Sequence, residues 1–288
     1  DPGKRQEYLD NLATLLEDWE AFAENKDWPD FTWYMHGFDE SEMRDGKAYD
    51  ESVRIIADFL HQRFPWLKLE TANPYIPRYD GYIDVFTPLT RQWEQSVGEY
   101  AEVQAQGQQF WAYVCCGPGK PYANFFIDFS GVDPRILLWQ LFKYDIGGLL
   151  YYLMNHYEPQ TNWNMDAPKW PEEQWNPLSF RTNSDGILFY PGPDATPLAS
   201  TRLANIRDGI EDYEALTILR ARAERLRQAD HASHLLDRAD TILAVDPEVA
   251  ASFKDYTRDP SRIVAERRKV DDLIEAIGKR LAGHLQTQ

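Results

Sequence analysis

The sequence contains only two cysteines, Cys115 and Cys116, and they are adjacent. A disulfide between neighbouring cysteines strains the peptide that joins them, so we expect two buried thiols on a strand. Cys-x-x-Cys and mixed Cys/His spacings are missing, which removes the usual zinc signatures. The metalloprotease His-Glu-x-x-His, the phosphate loop and the Gly-x-Gly-x-x-Gly dinucleotide motif are also missing. We therefore expect neither a metal nor another cofactor.

Two further absences concern partners. No apolar run approaches the roughly 20 residues that a membrane-spanning helix needs. Basic residues are in the minority, with 30 Lys and Arg against 47 Asp and Glu and a formal net charge of -17. Because so acidic a surface repels phosphate backbones, we expect no nucleic-acid partner. Because a long apolar run is missing, we also expect no membrane span.

Apolar and aromatic residues, by contrast, are plentiful. Of the 288 residues, 43% are hydrophobic and 14% aromatic, which is enough for a sizeable core. The 10 Trp and 16 Tyr also suit a site that stacks on the apolar faces of sugar rings. For any single ring, packing in the core is the commoner use.

Helical and extended patterns alternate along the first half of the chain. Apolar residues at three-to-four spacing predict helices over residues 6–24 and 52–64. A polar helix is predicted over 91–106, and a further helix over 135–144. Aromatic and β-branched runs predict buried strands over residues 31–38, 67–71, 82–86, 109–116 and 147–154. Strands this apolar, separated by helices, are typical of parallel βα units.

The fold class is therefore predicted as α/β, a (β/α)8 TIM-type barrel. An eight-stranded barrel needs about three strands more than these five. Either further strands escape recognition in the sequence, or these are the later strands, from about the fourth; we expect the second, because the sequence opens directly on a helix. Residues 1–225 would form this catalytic region without its first strands. Residues 226–288, with helices over 231–245 and 260–284, would form a helical extension packed on the barrel.

Asp39 and Glu40 are the strongest candidates for chemistry. They directly follow the first predicted strand, and catalytic groups of parallel barrels lie where strands end. Two adjacent carboxylates there are costly unless they are used or neutralised. The competing interpretation is an exposed acidic turn or a helix cap.

Several stretches together resemble the catalytic region of glycoside hydrolase family 123. In chain order these stretches are Trp111-Ala-Tyr-Val-Cys-Cys-Gly-Pro118, Asn124-Phe-Phe-Ile-Asp128, Asp133-Pro-Arg-Ile-Leu-Leu-Trp139, Gly148-Leu-Leu-Tyr-Tyr152, Asn183-Ser-Asp-Gly-Ile-Leu-Phe-Tyr-Pro-Gly192 and Arg202-Leu-Ala-Asn-Ile-Arg-Asp-Gly-Ile-Glu-Asp-Tyr213. The resemblance covers roughly residues 30 to 220, and its ordered series is more specific than any one stretch.

This resemblance implies a retaining β-N-acetylgalactosaminidase with a barrel catalytic domain, a glycan substrate ending in a 2-acetamido sugar, and an extracellular or periplasmic location. It also implies that Asp39 and Glu40 are the catalytic pair at the end of the fourth strand. Glu40 would protonate the leaving oxygen and then activate water, while Asp39 would orient the acetamido group. Two alternatives stay open: hydrolysis of another 2-acetamido sugar such as β-N-acetylglucosamine, and a catalytically silent glycan-binding barrel.

Six further residues are candidates for substrate binding, namely Tyr113, Asn155, Tyr152, Trp163, Trp170 and His36. Tyr113 would donate to the acetamido oxygen or pack in the barrel, and Asn155 would bind a sugar hydroxyl. Tyr152 stands where the family pattern has Trp, and the two Trp would wall the sugar subsite. A lone strand histidine such as His36 is more often a satisfied core residue.

A charged group at the start of the helix predicted over residues 200–226 favours a structural interpretation. We expect ion pairs that dock this helix, made by Arg202, Arg207, Asp208, Glu211 and Asp212.

Overall fold

The structure is a computed structural model of the chain, which describes residues 2–26, 28, 31–40, 47–155, 178–179, 182–183, 185–192, 196–229 and 234–285. The helices are α1 (Pro2–Glu24), α2 (Lys47–Arg63), α3 (Thr90–Ala105), α4 (Asp133–Lys143), α5 (Thr201–Ala229), α6 (His234–Leu243), α7 (Pro247–Ala250) and α8 (Pro260–Leu285). The strands are β1 (Trp33–His36), β2 (Leu67–Thr71), β3 (Val85–Phe86), β4 (Gln109–Phe110), β5 (Ala112–Val114), β6 (Leu149–Tyr151), β7 (Leu178–Ser179), β8 (Thr182–Asn183), β9 (Phe189–Pro191) and β10 (Pro197–Ala199).

The chain divides into two compact units. The first unit comprises Asp1–Pro88 and Glu102–Trp111, and the second comprises Leu89–Ala101 and Ala112–Gln288. The division predicted from the sequence, at residue 225, stays a prediction.

A parallel sheet with the strand order β1-β2-β3-β4 organises the first unit. Helix α2 connects β1 to β2 and packs on β2. Its residues Val53, Ala57 and Leu60, spaced at three to four, are completely buried. The register sets His36 of β1 beside Glu70 of β2. Because the strands are parallel, the carboxyl ends of β1 and β2 meet at one edge of the sheet.

The second unit combines a short parallel pair with a helical layer. Strands β5 and β6 are parallel, with Tyr113 beside Leu150. Helix α4 is apolar on nearly every side and correspondingly buried, with Ile136, Leu137 and Trp139 at 1% exposure or less. It packs against α5, which in turn packs against α6 and α8. Strands β9 and β10 form a separate antiparallel pair.

Most predicted elements are confirmed, and β2 has the predicted bounds. The strands predicted over 82–86 and 147–154 shorten to β3 and β6. The strand predicted over 109–116 is interrupted at Trp111, which separates β4 from β5. These strands are shorter because hydrogen-bonded pairing, rather than apolar character, determines where a strand ends.

The prediction that the first strand is buried was wrong. Along β1 the residues alternate between intermediate and higher exposure, and Tyr34 is 37% exposed. Among the described strands, β1 pairs only with β2, so it is an edge strand. An aromatic run therefore indicates a strand here without indicating that both of its faces are covered.

The cysteine prediction is half right. Both are free thiols, with the two sulfur atoms 3.8 Å apart. Cys115 is buried and follows β5, whereas Cys116 is exposed. The chain turns just after the strand, so the second side chain leaves the core.

The α/β class with parallel sheets is confirmed. Within the described residues the parallel strands form one four-stranded and one two-stranded sheet, and they do not close a barrel. Assignment to the later strands of a (β/α)8 barrel therefore stays a prediction.

Candidate active site

Asp39 and Glu40 lie in the turn that follows β1. On either side of Asp39, Phe38 and Glu40 have positive φ angles of 59° and 48°. For residues other than glycine this left-handed region costs about 1–2 kcal/mol each, and such conformations cluster at functional sites. Because the chain has left the strand, the rule that strand neighbours point to opposite faces no longer applies to these two carboxylates.

The turn is fixed to the end of β2. The carbonyl oxygen of Phe38 accepts hydrogen bonds from Thr71 Oγ1 at 2.9 Å and from Asn73 Nδ2 at 3.0 Å. The backbone N–H of Gly37 donates to the carbonyl of Glu70 at 2.9 Å. A Cβ at Gly37 would lie 3.1 Å from a Leu69 methyl, so the absence of a side chain permits this close approach. The backbone directly before the acidic pair is therefore held at two points.

His36 lies between two carboxylates. Its Nδ1 is 2.6 Å from Glu70 Oε2, and its Nε2 is 3.5 Å from Asp39 Oδ1. The hydrogen bond with Glu70 raises the pKa of His36 above its ordinary value; partial burial opposes this rise, and the charges of Glu70 and Asp39 reinforce it. The His36 side chain is 45% exposed, so it is not the satisfied core histidine that a lone strand position favours.

Exposure separates the acidic groups into two kinds. Asp39 is 58% exposed and Glu40 is also exposed, so both can meet a solvent-borne substrate. Glu70, by contrast, is 2% exposed, and its Oε1 has no hydrogen-bond partner among the described residues. A buried carboxylate needs a charged partner, and His36 supplies one.

Three of the other predicted residues lie in the second unit. Tyr113, in β5, is 8% exposed, which agrees with packing, and it also makes a hydrogen bond with Cys115. Tyr152 directly follows β6 and is 47% exposed. Asn155 is exposed, and its backbone forms a bridge with Ile187. Of the predicted site residues, the structure brings together His36 and Asp39.

The predicted subsite walls, Trp163 and Trp170, lie outside the described residues. Their role stays a prediction.

Sequence reasoning missed Glu70, Thr71 and Asn73. All three lie at or just after the carboxyl end of β2, a strand whose bounds the sequence predicts correctly. The rule that singled out Asp39, namely polar groups where a parallel strand ends, applies equally to these residues. The signal was therefore present, but the register that sets Glu70 beside His36 appears only in the structure.

Asp185 is a second buried carboxyl group that the sequence did not single out. It is 1% exposed, and burial raises its pKa to about 6. The neighbouring N–H of Gly186 donates to the Tyr151 hydroxyl at 2.9 Å, which places this turn beside β6. In mildly acidic solution the Asp185 carboxyl is thus protonated and can itself donate a hydrogen bond.

The structural interpretation of the charges on α5 is confirmed for Asp212. Asp212, with no exposed side-chain surface, accepts two hydrogen bonds from Arg135, at 2.6 and 2.9 Å, and one from Trp139 at 2.8 Å. Arg267 of α8 adds a bond at 3.1 Å. Arg202 also donates to the carbonyls of Phe125 and Ile187.

Within the part of the chain that the structure describes, no group of three or more His, Cys, Asp or Glu residues is arranged to hold a metal ion. No described helix combines the length and apolar character needed to cross a membrane.

Comparison with known proteins identifies the family to which the chain belongs. The family model described as glycoside hydrolase 123, catalytic domain, matches residues 2–219. This chain belongs to glycoside hydrolase family 123. A search of curated protein sequences finds no match.

A solved structure supports the fold. The chain is similar to a family 123 glycoside hydrolase from Clostridium perfringens, described for glycolipid glycan hydrolysis, with a TM-score of 0.55 and 15% sequence identity. The match covers 98% of this chain and 47% of that chain, so this chain spans about half the length of that enzyme. At this identity the likeness is one of fold.

Proposed function

We propose that the chain hydrolyses β-linked N-acetylgalactosamine from glycans by a retaining, substrate-assisted mechanism in which Asp39 and Glu40 are the catalytic pair. One observation carries this proposal: two adjacent, exposed carboxylates occupy a strained turn that is anchored to the carboxyl end of a neighbouring parallel strand. Membership of family 123 supports the reaction class. The (β/α)8 barrel and the extracellular or periplasmic location are parts of the same proposal.

The substrate's own acetamido oxygen is the nucleophile in this mechanism. Ordinary retaining glycosidases need a second carboxylate about 5–5.5 Å from the acid, and substrate-assisted families are the exception. The acetamido oxygen attacks the anomeric carbon as the glycosidic C–O bond breaks, and the Glu40 carboxyl gives its proton to the leaving oxygen. An oxazolinium ion results, with the leaving group departing as an alcohol.

Water completes the reaction. The Glu40 carboxylate takes a proton from water while the water oxygen attacks the anomeric carbon. This attack reopens the oxazolinium ring and restores the acetamido group. Two displacements at one carbon retain its configuration. Asp39 accepts a hydrogen bond from the acetamido N–H throughout, and its negative charge offsets the positive charge that develops on the ring.

Three aryl β-glycosides test this proposal on the unmodified protein. Turnover of the N-acetylgalactosaminide is expected, with slower turnover of the N-acetylglucosaminide. The galactoside, which matches the first sugar but lacks the acetamido group, is expected to show none because it carries no internal nucleophile. Equal turnover of the galactoside would contradict substrate assistance. Binding of N-acetylgalactosamine-terminated glycans without turnover of any substrate would support the silent glycan-binding alternative.

A further inference from the structure

Between the exposed acidic turn and the buried end of β2 runs a line of three ionisable side chains. Asp39, His36 and Glu70 follow one another with contacts of 3.5 and 2.6 Å. Only the innermost group is buried, at 2% exposure, and only the outermost belongs to the proposed catalytic pair. The imidazole in the middle therefore connects a fixed carboxylate to a catalytic one.

We propose that His36, held by Glu70, is a positioning residue that fixes the Asp39 carboxylate for its contact with the substrate's acetamido group. This inference rests on the proposed function. It assigns His36 a role through Asp39 instead of the direct contact with the sugar predicted from the sequence.

The first step of the argument concerns the two ring nitrogens. Glu70 Oε2 lies 2.6 Å from Nδ1, so this nitrogen carries a proton and donates a hydrogen bond to the buried carboxylate. His36 and Glu70 are opposite each other in the register of β1 and β2, so the sheet holds the carboxylate beside the ring. An imidazole held in this way has its second nitrogen directed at a defined point, in the way that a carboxylate orients a metal-binding histidine in other proteins.

The second step concerns the ring's charge. Nε2 faces Asp39 Oδ1 at 3.5 Å, and a neutral ring would present a lone pair to that negative oxygen. A protonated ring presents an N–H instead and can donate to it. Among the described residues, the charged groups that act on His36 are Glu70 on β2 and Asp39 on its own turn, and both favour the protonated ring. The 3.5 Å contact can shorten when the site engages substrate, as catalytic hydrogen bonds commonly do.

A double-mutant cycle with His36→Gln and Asp39→Asn tests this role. With an activated aryl N-acetylgalactosaminide, His36→Gln should lower kcat/KM about 10- to 100-fold, mainly through kcat, because a misplaced catalytic group costs rate rather than binding. In the Asp39→Asn background the same substitution should change kcat/KM less than about twofold, since the group through which it acts is already lost. Glu70→Gln should move the alkaline limb of the pH profile to lower pH, because His36 loses the partner that keeps it protonated.

The matched control is His61→Gln. His61 belongs to the same unit and forms the same type of pair, with Nε2 2.9 Å from Asp84 Oδ2, but it lies on α2 away from the acidic turn. The His61→Gln substitution should leave kcat/KM and the pH profile unchanged. Equal losses from His36→Gln in both backgrounds would overturn the positioning role. The positioning role would also be overturned if His36→Gln had wild-type activity while Asp39→Asn was impaired. If Asp39→Asn and Glu40→Gln both retain full activity, the proposed function itself fails.

Discussion

At the residue scale, one carbonyl oxygen collects two of the hydrogen bonds that hold the turn of the acidic pair. Phe38 O accepts bonds from Thr71 and Asn73, and Asn73 Nδ2 also donates to Thr71 Oγ1 at 2.5 Å. Thr71 is 1% exposed, so water cannot replace what its hydroxyl provides. The strained turn persists because its surroundings determine it more strongly than its own backbone preferences do.

Replacing Thr71 with Val tests this anchor. The change keeps the shape but removes one donor and one acceptor, so we expect a loss of about 1–3 kcal/mol in the free energy of unfolding. Denaturant midpoints measure it. Thr87→Val is the matched control, because the buried Thr87 hydroxyl has no hydrogen-bond partner among the described residues. Equal effects of both changes would show that the Thr71 hydroxyl anchors nothing.

At the scale of elements, helix α5 is docked by one buried carboxylate. Asp212 receives bonds from Arg135 and Trp139 of α4 and from Arg267 of α8, so three helices meet at a single side chain. The free-energy cost of removing these charges from water is offset only while all the bonding partners are present. The predicted ion pairs of this helix thus include one that is structurally important and others that are exposed, such as Arg207 with Asp208.

Asp212→Ala should separate these two kinds of pair. Its removal leaves two guanidinium groups without their buried partner, and we expect a loss of about 3–5 kcal/mol in the free energy of unfolding. Arg207→Ala should leave the free energy of unfolding close to that of the wild type, because that side chain is 68% exposed and its ion pair is screened by solvent. Chemical denaturation followed by circular dichroism measures both. Comparable destabilisation by the two variants would contradict the docking role of Asp212.

At the scale of the whole molecule, the sequence predicted element types well and their pairing poorly. The helices α1 and α2 follow from apolar spacing alone, because that spacing is a local property. The exposed edge of β1 and the register of His36 with Glu70 depend on which strands are neighbours, and no local pattern contains that information. Asp39 and Glu40 were identifiable because a strand end is visible in the sequence, whereas the buried partner of His36 was not.

The central claim, that Glu40 is the proton donor beside Asp39, is tested most directly by the leaving-group dependence of Glu40→Gln. With an N-acetylgalactosamine disaccharide, whose leaving alcohol needs a proton, kcat/KM should fall about 10²- to 10⁴-fold. With an activated aryl glycoside it should fall far less, because a weakly basic phenolate leaves without protonation. The matched control is Glu51→Gln, an exposed glutamate on α2 paired with Arg5, and it should behave as wild type with both substrates. Wild-type turnover of the disaccharide by Glu40→Gln would contradict the account.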